Sequence, residues 1–541
     1  MKKRFRYFII LYRVFIIMLL VAFISFKLSF AIFDTVNAST SANWEAFWES
    51  AKWMMIYAFA LMPANLMFSY IKADTTKRIV TRMKTDYLSA VFEKNISEFQ
   101  KDNNQQYVSA MTNDFNLIEK DYVEQIINII EAIVNFLTAI LIITLISPII
   151  LLIGLGIVVF NVIISALSSR PIKKHNKERS EMMGEYGGFI KEILSAFHII
   201  KTNDLESRIV ENYRDRSEKV QHKKYIIDKI MSYIYAIQNA NFSLIFLVLM
   251  FVVSYLTIQG VILFAGVVVV AQNVDNIIGP VSQISEAVPR ILSVKSIFTR
   301  IDQTLKNQYV HEETLSFDQL NTSIQLNHVS FAYNEENEIL KDVNLNFEKG
   351  KKYLVIGPSG GGKSTLLRLL RKYFEPNEGQ ILIDDQNLND IKKIDYFSKI
   401  ANIEQQIFLF EDTLRNNLTL YKDYSDEEIY DAIKRAGLEH FVKQHPDGLN
   451  RLILDNGKNI SGGEKSRVAI ARGLLNHAEI ILLDEAFASL DPKSAIAIEA
   501  SLLALKNVTV INVSHVILEE NKSSYDDIVM VKNKKAVLMS T

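Results

Sequence analysis

Long apolar runs dominate the first three hundred residues of the chain, and shorter runs of strand length follow them. The first run extends from Tyr7 to Phe33 and is interrupted only by Arg13 and Lys27. Signal peptides have apolar cores of about 7–15 residues, whereas a helix needs about 20 apolar residues to cross a bilayer. The pattern therefore predicts a membrane-spanning helix at the start of the chain.

Five further spans are predicted from the remaining apolar runs. The second covers residues 53–71 and continues as a charged helix. Residues 126–167 are almost wholly apolar, and they are long enough for two spans that meet at Ser147-Pro148. Residues 231–278 provide the fifth and sixth spans, with a break at Gln259-Gly260. The pattern thus predicts an all-α transmembrane bundle of six long helices.

The positions of Lys and Arg orient this predicted bundle. The connection over residues 34–50 carries no Lys or Arg, whereas the two long charged segments between spans are rich in both. By the positive-inside rule the N-terminus is therefore cytoplasmic, and six spans return the chain to the cytoplasm. We expect residues 1–305 to form a transmembrane domain with two long cytoplasmic extensions, in a multi-pass protein of a bacterial cell membrane.

The remaining chain has the composition of a soluble domain. Residues 306–321 are predicted to form a polar linker, and residues 322–541 are predicted to form a separate domain. Alternating polar and apolar positions over 324–329 and 343–347 predict an antiparallel β subdomain. Later strand and helix segments predict an α/β fold, into which a helical subdomain is inserted.

Composition narrows the possible functions. The chain has 541 residues, 60 of them basic and 61 acidic, so its net charge gives no bias toward nucleic acid, and we expect no nucleic-acid partner. It contains no cysteine, which excludes disulfides, zinc–thiolate sites, iron–sulfur clusters and cysteine nucleophiles.

A glycine-rich loop between a strand and a helix carries the strongest chemical signal. It matches the phosphate-binding pattern G-x-x-x-x-G-K-[ST], follows the apolar run 353–356 and precedes leucines at helical spacing. Lys363 would reach the β- and γ-phosphates, and the Ser364 hydroxyl would bind Mg²⁺. The loop consists of Gly357, Pro358, Ser359, Gly360, Gly361, Gly362, Lys363, Ser364 and Thr365.

A buried strand that ends in two carboxylates supplies the second signal. The apolar run 480–483 is followed by Asp484 and Glu485. In a nucleotide hydrolase Asp484 would hold Mg²⁺ through its water shell, and Glu485 would act as the general base toward the attacking water.

A second glycine-rich loop precedes the predicted helix 465–475. It contains Ser461, Gly462, Gly463 and Glu464. Because the loop leads into the N-terminus of a helix, where anions are favourable, it is a candidate second anion site. Because one phosphate loop already covers one face of a triphosphate, this second loop is expected to serve a nucleotide held by a partner domain.

The order of these motifs resembles the nucleotide-binding domain of an ATP-binding-cassette transporter, and the six upstream spans resemble the membrane half of exporters in that superfamily. The resemblance implies ATP and Mg²⁺ as ligands. It implies that Tyr333 stacks on adenine, that Gln405 touches Mg²⁺, that His515 contacts the γ-phosphate and that Asp491 crosses a dimer interface. Gln406 beside Gln405, and a purely structural Tyr333 in a strand core, remain alternatives. Lys363, Glu485 and His515 are the expected catalytic residues.

Three departures from the family pattern affect these expectations. Ile460 and Glu464 stand where the family usually has Leu and Gln, and Glu464 places a negative charge near an anion site. Glu404 replaces the usual proline before Gln405. The chain ends soon after the predicted strand 528–531, so we expect most of the family's helical tail to be missing.

The expected function is ATP-driven export of a peptide, lipid or amphipathic small molecule by a dimer with a second copy or a homologous half-transporter. The alternatives are one subunit of a heterodimer with a weakened site, and an ATP-gated channel or regulatory protein. Intramembrane polar residues usually face a bundle interior, so four of them are predicted to line the substrate cavity. These are Glu131, Asn135, Gln272 and Asp275.

Overall fold

The chain forms two compact units. A computed structural model describes residues 9–101, 104–152, 156, 175, 178–179, 182–307, 311–333, 337–515 and 517–539. The first unit comprises Met1–Glu93 and Asn103–Lys306, and the second comprises Lys94–Asp102 and Asn307–Thr541.

In the described part of the first unit, all regular secondary structure is helical. Two π-helical turns, Ala110–Asp114 and Glu119–Val123, interrupt the α-helical hydrogen bonding between Asn104 and Ile146. The helices up to the end of this unit include α1 (Tyr12–Thr40), α2 (Trp44–Phe92), α3 (Ile96–Lys101), α4 (Asn104–Ser109), α5 (Phe115–Ile118), α6 (Glu124–Ile146), α7 (Phe197–Thr202), α8 (Glu206–Ile258) and α9 (Phe264–Leu305), of which α3 belongs to the second unit. Residues 148–152 and 182–195 are helical as well.

Four helices in the described part of the chain are long and apolar enough to cross a membrane. They are Ile9–Thr40, Trp44–Phe92, Gln106–Ile146 and Phe264–Leu305, and a shorter apolar helix occupies Phe246–Ile258. The predicted span after Ser147-Pro148 falls mostly on residues 153–155 and 157–174, which lie outside the described residues. The count of six spans therefore stays a prediction.

The predicted outer connection over residues 34–50 is mostly wrong, because both flanking helices continue into it. α1 ends at Thr40 and α2 begins at Trp44. Asn43 caps α2 by accepting a hydrogen bond from the Ala46 N–H at 3.1 Å. The stretch without Lys and Arg thus contains the turn between the two helices but is much longer than that turn.

Small and β-branched residues allow α6 and α9 to pack closely. A Cβ on Gly266 of α9 would lie 3.0 Å from the Ile146 Cγ2 atom of α6, so a larger residue would push the helices apart. Ala139, Val267 and Val270 are buried in the same apolar cluster. Close packing through small residues is how helices associate in a bilayer, where apolar burial alone gives little driving force.

The second unit contains two main sheets. An antiparallel sheet has the order β2-β1-β4-β5, and a six-stranded sheet has the order β12-β11-β3-β10-β9-β6, parallel except for the β11–β12 pair. A short β7–β8 pair stands apart. The strands are β1 (Ser323–Ala332), β2 (Glu338–Glu348), β3 (Lys352–Ile356), β4 (Glu378–Ile383), β5 (Gln386–Asn387), β6 (Ile400–Ile403), β7 (Asp412–Thr413), β8 (Leu452–Ile453), β9 (Ile480–Asp484), β10 (Thr509–Val513), β11 (Asp527–Lys532) and β12 (Lys535–Met539).

Helices cover the six-stranded sheet and form a separate subdomain between β6 and β9. Buried residues of that subdomain, including Leu414, Ile429 and Ile470, pack in one apolar cluster with β6 and β9. The helices are α10 (Lys363–Leu370), α11 (Lys393–Lys399), α12 (Leu414–Thr419), α13 (Asp426–Arg435), α14 (Glu439–Gln444), α15 (Gly462–Leu475), α16 (Pro492–Leu503) and α17 (Glu519–Lys522).

The predicted linker 306–321 has ordered contacts within the second unit. The Thr314 and Leu315 N–H groups both donate to the Asp390 carbonyl at 2.9 Å. Lys393, the first residue of α11, donates to Asn95 at 2.9 Å, so the segment just before α3 is also tied to this unit. Residues from Asn307 onward thus belong with the second unit, together with Lys94–Asp102, and the domain boundary at residue 322 stays a prediction.

The parallel strands bring the predicted site residues to one edge of the sheet. β3, β6, β9 and β10 are neighbours in the sheet and parallel to one another. Their carboxyl ends lead into the phosphate loop, Gln405, Asp484-Glu485 and His515 respectively. Ligands of open α/β sheets bind at this edge.

Candidate nucleotide-binding site

The phosphate loop depends on glycine at its first and last turns. Gly357 has φ +152°, and a Cβ there would lie 2.0 Å from the Val531 carbonyl oxygen. Gly362 has φ +104° at the N-terminal end of α10. Only glycine tolerates both positions, and a glycine-rich loop that leads into a helix N-terminus is the kind of backbone that binds phosphate groups.

Lys363 lies folded over this loop. Its Nζ donates to the carbonyl oxygens of Gly357 and Pro358 at 3.0 Å each, and the residue is only 4% exposed. Burial lowers the pKa of Lys363, while the carboxylates of Glu485 and Asp484 act in the opposite direction. The ammonium group is therefore held next to the loop that would receive phosphates.

Asp484 and Ser364 meet beside the loop. The Ser364 hydroxyl donates to Asp484 Oδ1 at 3.1 Å, and Asp484 is buried at the end of β9. Leu366, Leu367, Leu369 and Leu370 are fully buried and hold α10 against the sheets, which sets the position of Ser364.

Each carboxylate oxygen of Glu485 has one close polar partner. Gln405 Nε2 donates to Oε2 at 2.8 Å, and His515 Nε2 lies 2.8 Å from Oε1. Glu485 has φ +52°, a left-handed conformation that costs a non-glycine residue about 1 kcal/mol or more. Its N–H donates to the Val513 carbonyl at 2.9 Å, which helps to hold this turn. The strained backbone aims the carboxylate at the two neighbouring loops.

Tyr333 lies among aromatic rings at the mouth of the site. Its ring meets Phe331 and Phe374 edge-on at centroid distances of 5.0 and 5.3 Å, and 37% of the residue is exposed. Its hydroxyl lies 3.2 Å from the Thr365 hydroxyl and accepts from Arg368 Nη1 at 2.9 Å. Arg368 was missed from the sequence because it stands in a helix of leucines without a motif.

Ser461 caps the helix that follows the second glycine-rich loop. Its side chain accepts from the Glu464 N–H at 3.3 Å, and the Glu464 carboxylate accepts from the Ser461 N–H at 2.7 Å. This capping box explains a Glu at this position, since a carboxylate there satisfies a free N–H at the helix start. A Cβ on Gly463 would lie 3.3 Å from the Ser489 carbonyl. Gly462 and Gly463 thus pack on the loop before Asp491.

Asp491 caps α16. It accepts from the Ser494 N–H at 3.0 Å, and Arg467 Nη2 donates to its other oxygen at 3.3 Å. The hydrogen bond from the Ser494 N–H lowers the pKa of Asp491. In this chain Asp491 therefore orders the loop that runs from Glu485 to α16.

The metal-binding capacity of the site comes from a mixed set of oxygens. Among the described residues no group of three or more His, Asp or Glu side chains could hold a metal ion. Asp484, the Ser364 hydroxyl and the Gln405 amide lie around the same edge. Such a set fits Mg²⁺, which takes one or two carboxylates and completes its shell with waters and substrate phosphates.

The polar residues predicted for the substrate cavity do not converge in the same way. Glu131 forms an ion pair with Lys72 at 3.2 Å, and Lys72 also donates to Asn128 at 2.9 Å. Asp275 and Gln272 are exposed on α9, and Asn135 is half-buried on α6. Among the described contacts, no hydrogen bond or ion pair joins any two of Glu131, Asn135, Gln272 and Asp275.

Two family models match the chain in tandem. One, described as the ABC transporter transmembrane region, covers residues 8–281, and the other, described as ABC transporter, covers residues 340–488. The chain belongs to the ABC transporter family. Both modules in one chain make it a half-transporter of the exporter type.

Relatives and a solved structure agree with this assignment. The chain is 25% identical to the Bacillus subtilis ABC transporter ATP-binding protein YfiC over 90% of this chain and 81% of that protein. It is 30% identical to a Lactococcus lactis multidrug resistance ABC transporter ATP-binding and permease protein over 63% and 59% of the two chains. A bacterial Atm1-family ABC exporter solved with ATP bound shares the fold, with a TM-score of 0.81, 20% identity and coverage of 96% and 93%.

This ABC transporter is thus a multi-pass membrane ATPase whose ATP hydrolysis is coupled to transport. Its exporter fold combines a helical transmembrane region with an α/β nucleotide-binding domain, and that architecture implies dimerisation.

Proposed function

We propose that this ABC exporter works as a homodimer that moves amphipathic small molecules outward through the membrane. The observation that carries the ATP-driven part of the proposal is the carboxylate of Glu485, whose two oxygens face Gln405 and His515 next to the phosphate loop. Such a carboxylate is positioned to act as a general base on a water beside the γ-phosphate.

Each ATP site is proposed to need two chains. Within the described residues, the hydrogen bonds of Ser461 and Glu464 close the capping box of α15, and none reaches the phosphate loop. The second anion site is therefore available to a nucleotide bound by Lys363 of another copy. Because this one chain carries both loops, Glu485 and His515, a second copy suffices as partner.

The capping box also bears on the heterodimer alternative. A free carboxylate at residue 464 would repel phosphate, but this one accepts a hydrogen bond from the Ser461 N–H at 2.7 Å. Its charge is partly compensated at the helix N-terminus, where acidic side chains are favourable. The unusual Glu464 thus gives little reason to assume a weakened site.

In the proposed reaction a water attacks the γ-phosphate, its proton passes to Glu485, and the bond to the ADP leaving oxygen breaks. Lys363 and the loop N–H groups bind the phosphates, while Gln405 and His515 keep the Glu485 carboxylate oriented. Asp484, Ser364 and Gln405 would hold Mg²⁺, which supplies positive charge to the phosphate oxygens. Tyr333 offers an exposed aromatic surface for adenine.

ATP binding would favour the closed dimer of nucleotide-binding domains, and hydrolysis would release it. The two states then differ in their affinity for ATP, which is what allows binding to shift the population between them. We propose that the N-terminus and the ATPase domain lie in the cytoplasm, in accordance with the distribution of Lys and Arg.

The proposed substrate class follows from the membrane half and from one relative. The Lactococcus lactis relative is named as a multidrug resistance transporter. Glu131 is neutralised by Lys72, so Asp275, exposed on α9, is the better candidate for contact with a cationic group. An amphipathic compound with a positive group fits these two observations.

Reconstitution tests the proposal directly. Purified full-length protein in proteoliposomes should accumulate amphipathic cationic dyes only with ATP, and Glu485→Gln should abolish both dye uptake and ATPase activity while ATP binding persists. Undiminished ATPase activity in Glu485→Gln would refute the assignment of the base. Passive flux of ions without ATP turnover would instead indicate a gated channel.

A further inference from the structure

A buried arginine lies beside the proposed metal site without a full set of partners. Arg371 directly follows α10 and is 2% exposed. Its Nη1 lies 3.9 Å from Asp484 Oδ2 and 3.6 Å from Glu404 Oε1. Nε and Nη2 are buried and have no hydrogen-bond partner among the described residues. Arg371 belongs to neither glycine-rich loop, so no sequence motif points to it.

Burying a guanidinium group is unfavourable unless nearby negative charge compensates it. Here the compensation comes from two carboxylates that belong to different loops. Asp484 is itself buried, whereas the Glu404 side chain is 42% exposed. Arg371 therefore stands as one positive charge between a site carboxylate and a more solvated one.

Glu404 is also held from its other side. The Tyr373 hydroxyl donates to Glu404 Oε1 at 2.9 Å. Burial raises the pKa of Tyr373, so this hydroxyl stays neutral and keeps its proton for the hydrogen bond. Glu404 is directly followed by Gln405, whose amide donates to Glu485. Arg371 and Glu404 thus connect Asp484 with the backbone that carries Gln405.

The two oxygens of Asp484 have different neighbours. Oδ1 accepts from the Ser364 hydroxyl at 3.1 Å, and Oδ2 faces Arg371. A cation on one side and a hydroxyl on the other restrict the orientation of the carboxylate. The same cation reduces the negative charge available to a divalent ion, and Glu404 restores part of it.

We propose that Arg371 and Glu404 form a charge-balanced pair that positions Asp484 and sets the affinity of the ATP site for Mg²⁺. Arg371 and Glu404 are positioning residues, which act through Asp484 and Gln405. The inference rests on the proposed assignment of Asp484 and Gln405 to the metal. The pair accounts for both the buried guanidinium and the glutamate where the family usually has proline.

The test measures binding without turnover. Full-length protein carrying Glu485→Gln is titrated with Mg²⁺ in the presence of a fluorescent ATP analogue, and the affinity for the analogue in EDTA is measured separately. Glu404→Gln should raise the Mg²⁺ concentration at half-saturation about fivefold, as expected for loss of one charge near a partly solvated cation site. Affinity in EDTA should stay unchanged, because that measurement excludes the metal.

A matched control and a double-mutant cycle isolate the pair. Glu411→Gln removes an exposed carboxylate from the same loop and should leave the half-saturation concentration unchanged. In an Arg371→Met background, Glu404→Gln should shift it less than twofold, because the charge that Glu404 balances is gone. If Arg371→Met does not fold, Arg371→Lys keeps the charge, and the fivefold shift should persist there.

Two results would overturn the inference. One is an equal shift from Glu404→Gln with and without Arg371, and the other is an equal loss of affinity in EDTA, which indicates a structural effect. The variant Asp484→Asn distinguishes failure of the proposed Arg371–Glu404 pair from failure of the metal assignment. If Asp484→Asn keeps full Mg²⁺ dependence, the proposed metal site itself is wrong; if it loses that dependence while Glu404→Gln does not shift it, only the pair fails.

Discussion

The polar residues singled out in the ATPase half lie together, whereas those singled out in the membrane half do not. Gln405, Glu485 and His515 come from three loops. Gln405 and His515 each lie 2.8 Å from one carboxylate oxygen of Glu485. In the membrane half, Glu131 is paired with Lys72, and Asp275 makes no described contact with it.

The difference reflects how each half specifies its chemistry. Nucleotide chemistry needs set distances between a base, phosphates and a cation, and parallel strand ends deliver those distances. A transmembrane cavity for amphipathic compounds needs only volume and diffuse polarity. A polar residue in a helix of the bundle can equally serve helix packing, as Lys72 and Glu131 do.

The largest effect is expected from loss of the contact between His515 and Glu485. His515→Ala removes one of the two close polar contacts of the Glu485 carboxylate, and ATPase activity should fall about 100-fold, the scale of a mispositioned general base. Steady-state ATPase assays on protein in lipid measure this. His440→Ala, an exposed histidine on α14, should stay within about twofold of the parent, given that surface substitutions usually have small effects. Equal losses in the two variants would show that the contact with Glu485 is unimportant.

A smaller effect is expected at the second glycine-rich loop. Glu464→Ala removes half of the capping box and should lower the stability of the nucleotide-binding domain by about 1 kcal/mol. Glu464→Gln keeps an acceptor for the Ser461 N–H, so it should retain most of that stability. Thermal unfolding of the two variants decides the point, and indistinguishable melting curves for Glu464→Ala and the parent would argue against the cap.

The ion pair of the membrane half should contribute less, because both side chains are about one-third exposed. Lys72→Met leaves the Glu131 charge unpaired and should cost roughly 0.5–1 kcal/mol. The double variant Lys72→Met/Glu131→Gln should recover most of the loss, whereas Lys77→Met, an exposed lysine on the same helix, should cost little. Thermal unfolding in one detergent measures all four proteins. Failure of the double variant to recover would show that the pair is not the source of the effect.

The smallest effect is expected on α9. Asp275→Asn should reduce uptake of a cationic dye about twofold, the scale of one exposed charge contact, with ATPase activity unchanged. Glu286→Gln on the same helix provides the control. A loss of ATPase activity in parallel with transport would contradict a contact that acts on the substrate alone.

Much of the local structure around the proposed ATP site was predictable, because its residues are adjacent to recognisable apolar runs. The apolar run before Gly357 became β3, and the leucines after Lys363 became a buried helix. The apolar run before Asp484 became β9. Strand ends and helix starts depend on residues that are close in sequence, so their motifs can be recognised without knowledge of the tertiary structure.

Other parts could not be read from the chain. The turn near Asn43 is much shorter than the stretch without Lys and Arg. Glu464 looked like a charge aimed at an anion, yet it caps its own helix. Arg371 and Glu404 are far apart in sequence and carry no motif, so only folding shows that they face each other.

The sequence by itself determined that a membrane-spanning half precedes a nucleotide-binding half, and it determined the positions of the phosphate loop and of the carboxylates Asp484 and Glu485. These features depend on hydrophobic periodicity and on local spacing. Only the tertiary structure decided which charges meet. Lys72 pairs with Glu131, and Arg371 lies between Asp484 and Glu404, because packing brings residues from separate helices and loops into contact. The electrostatic energy of such a pair depends on the distance between the two charges in space and not on their separation in sequence.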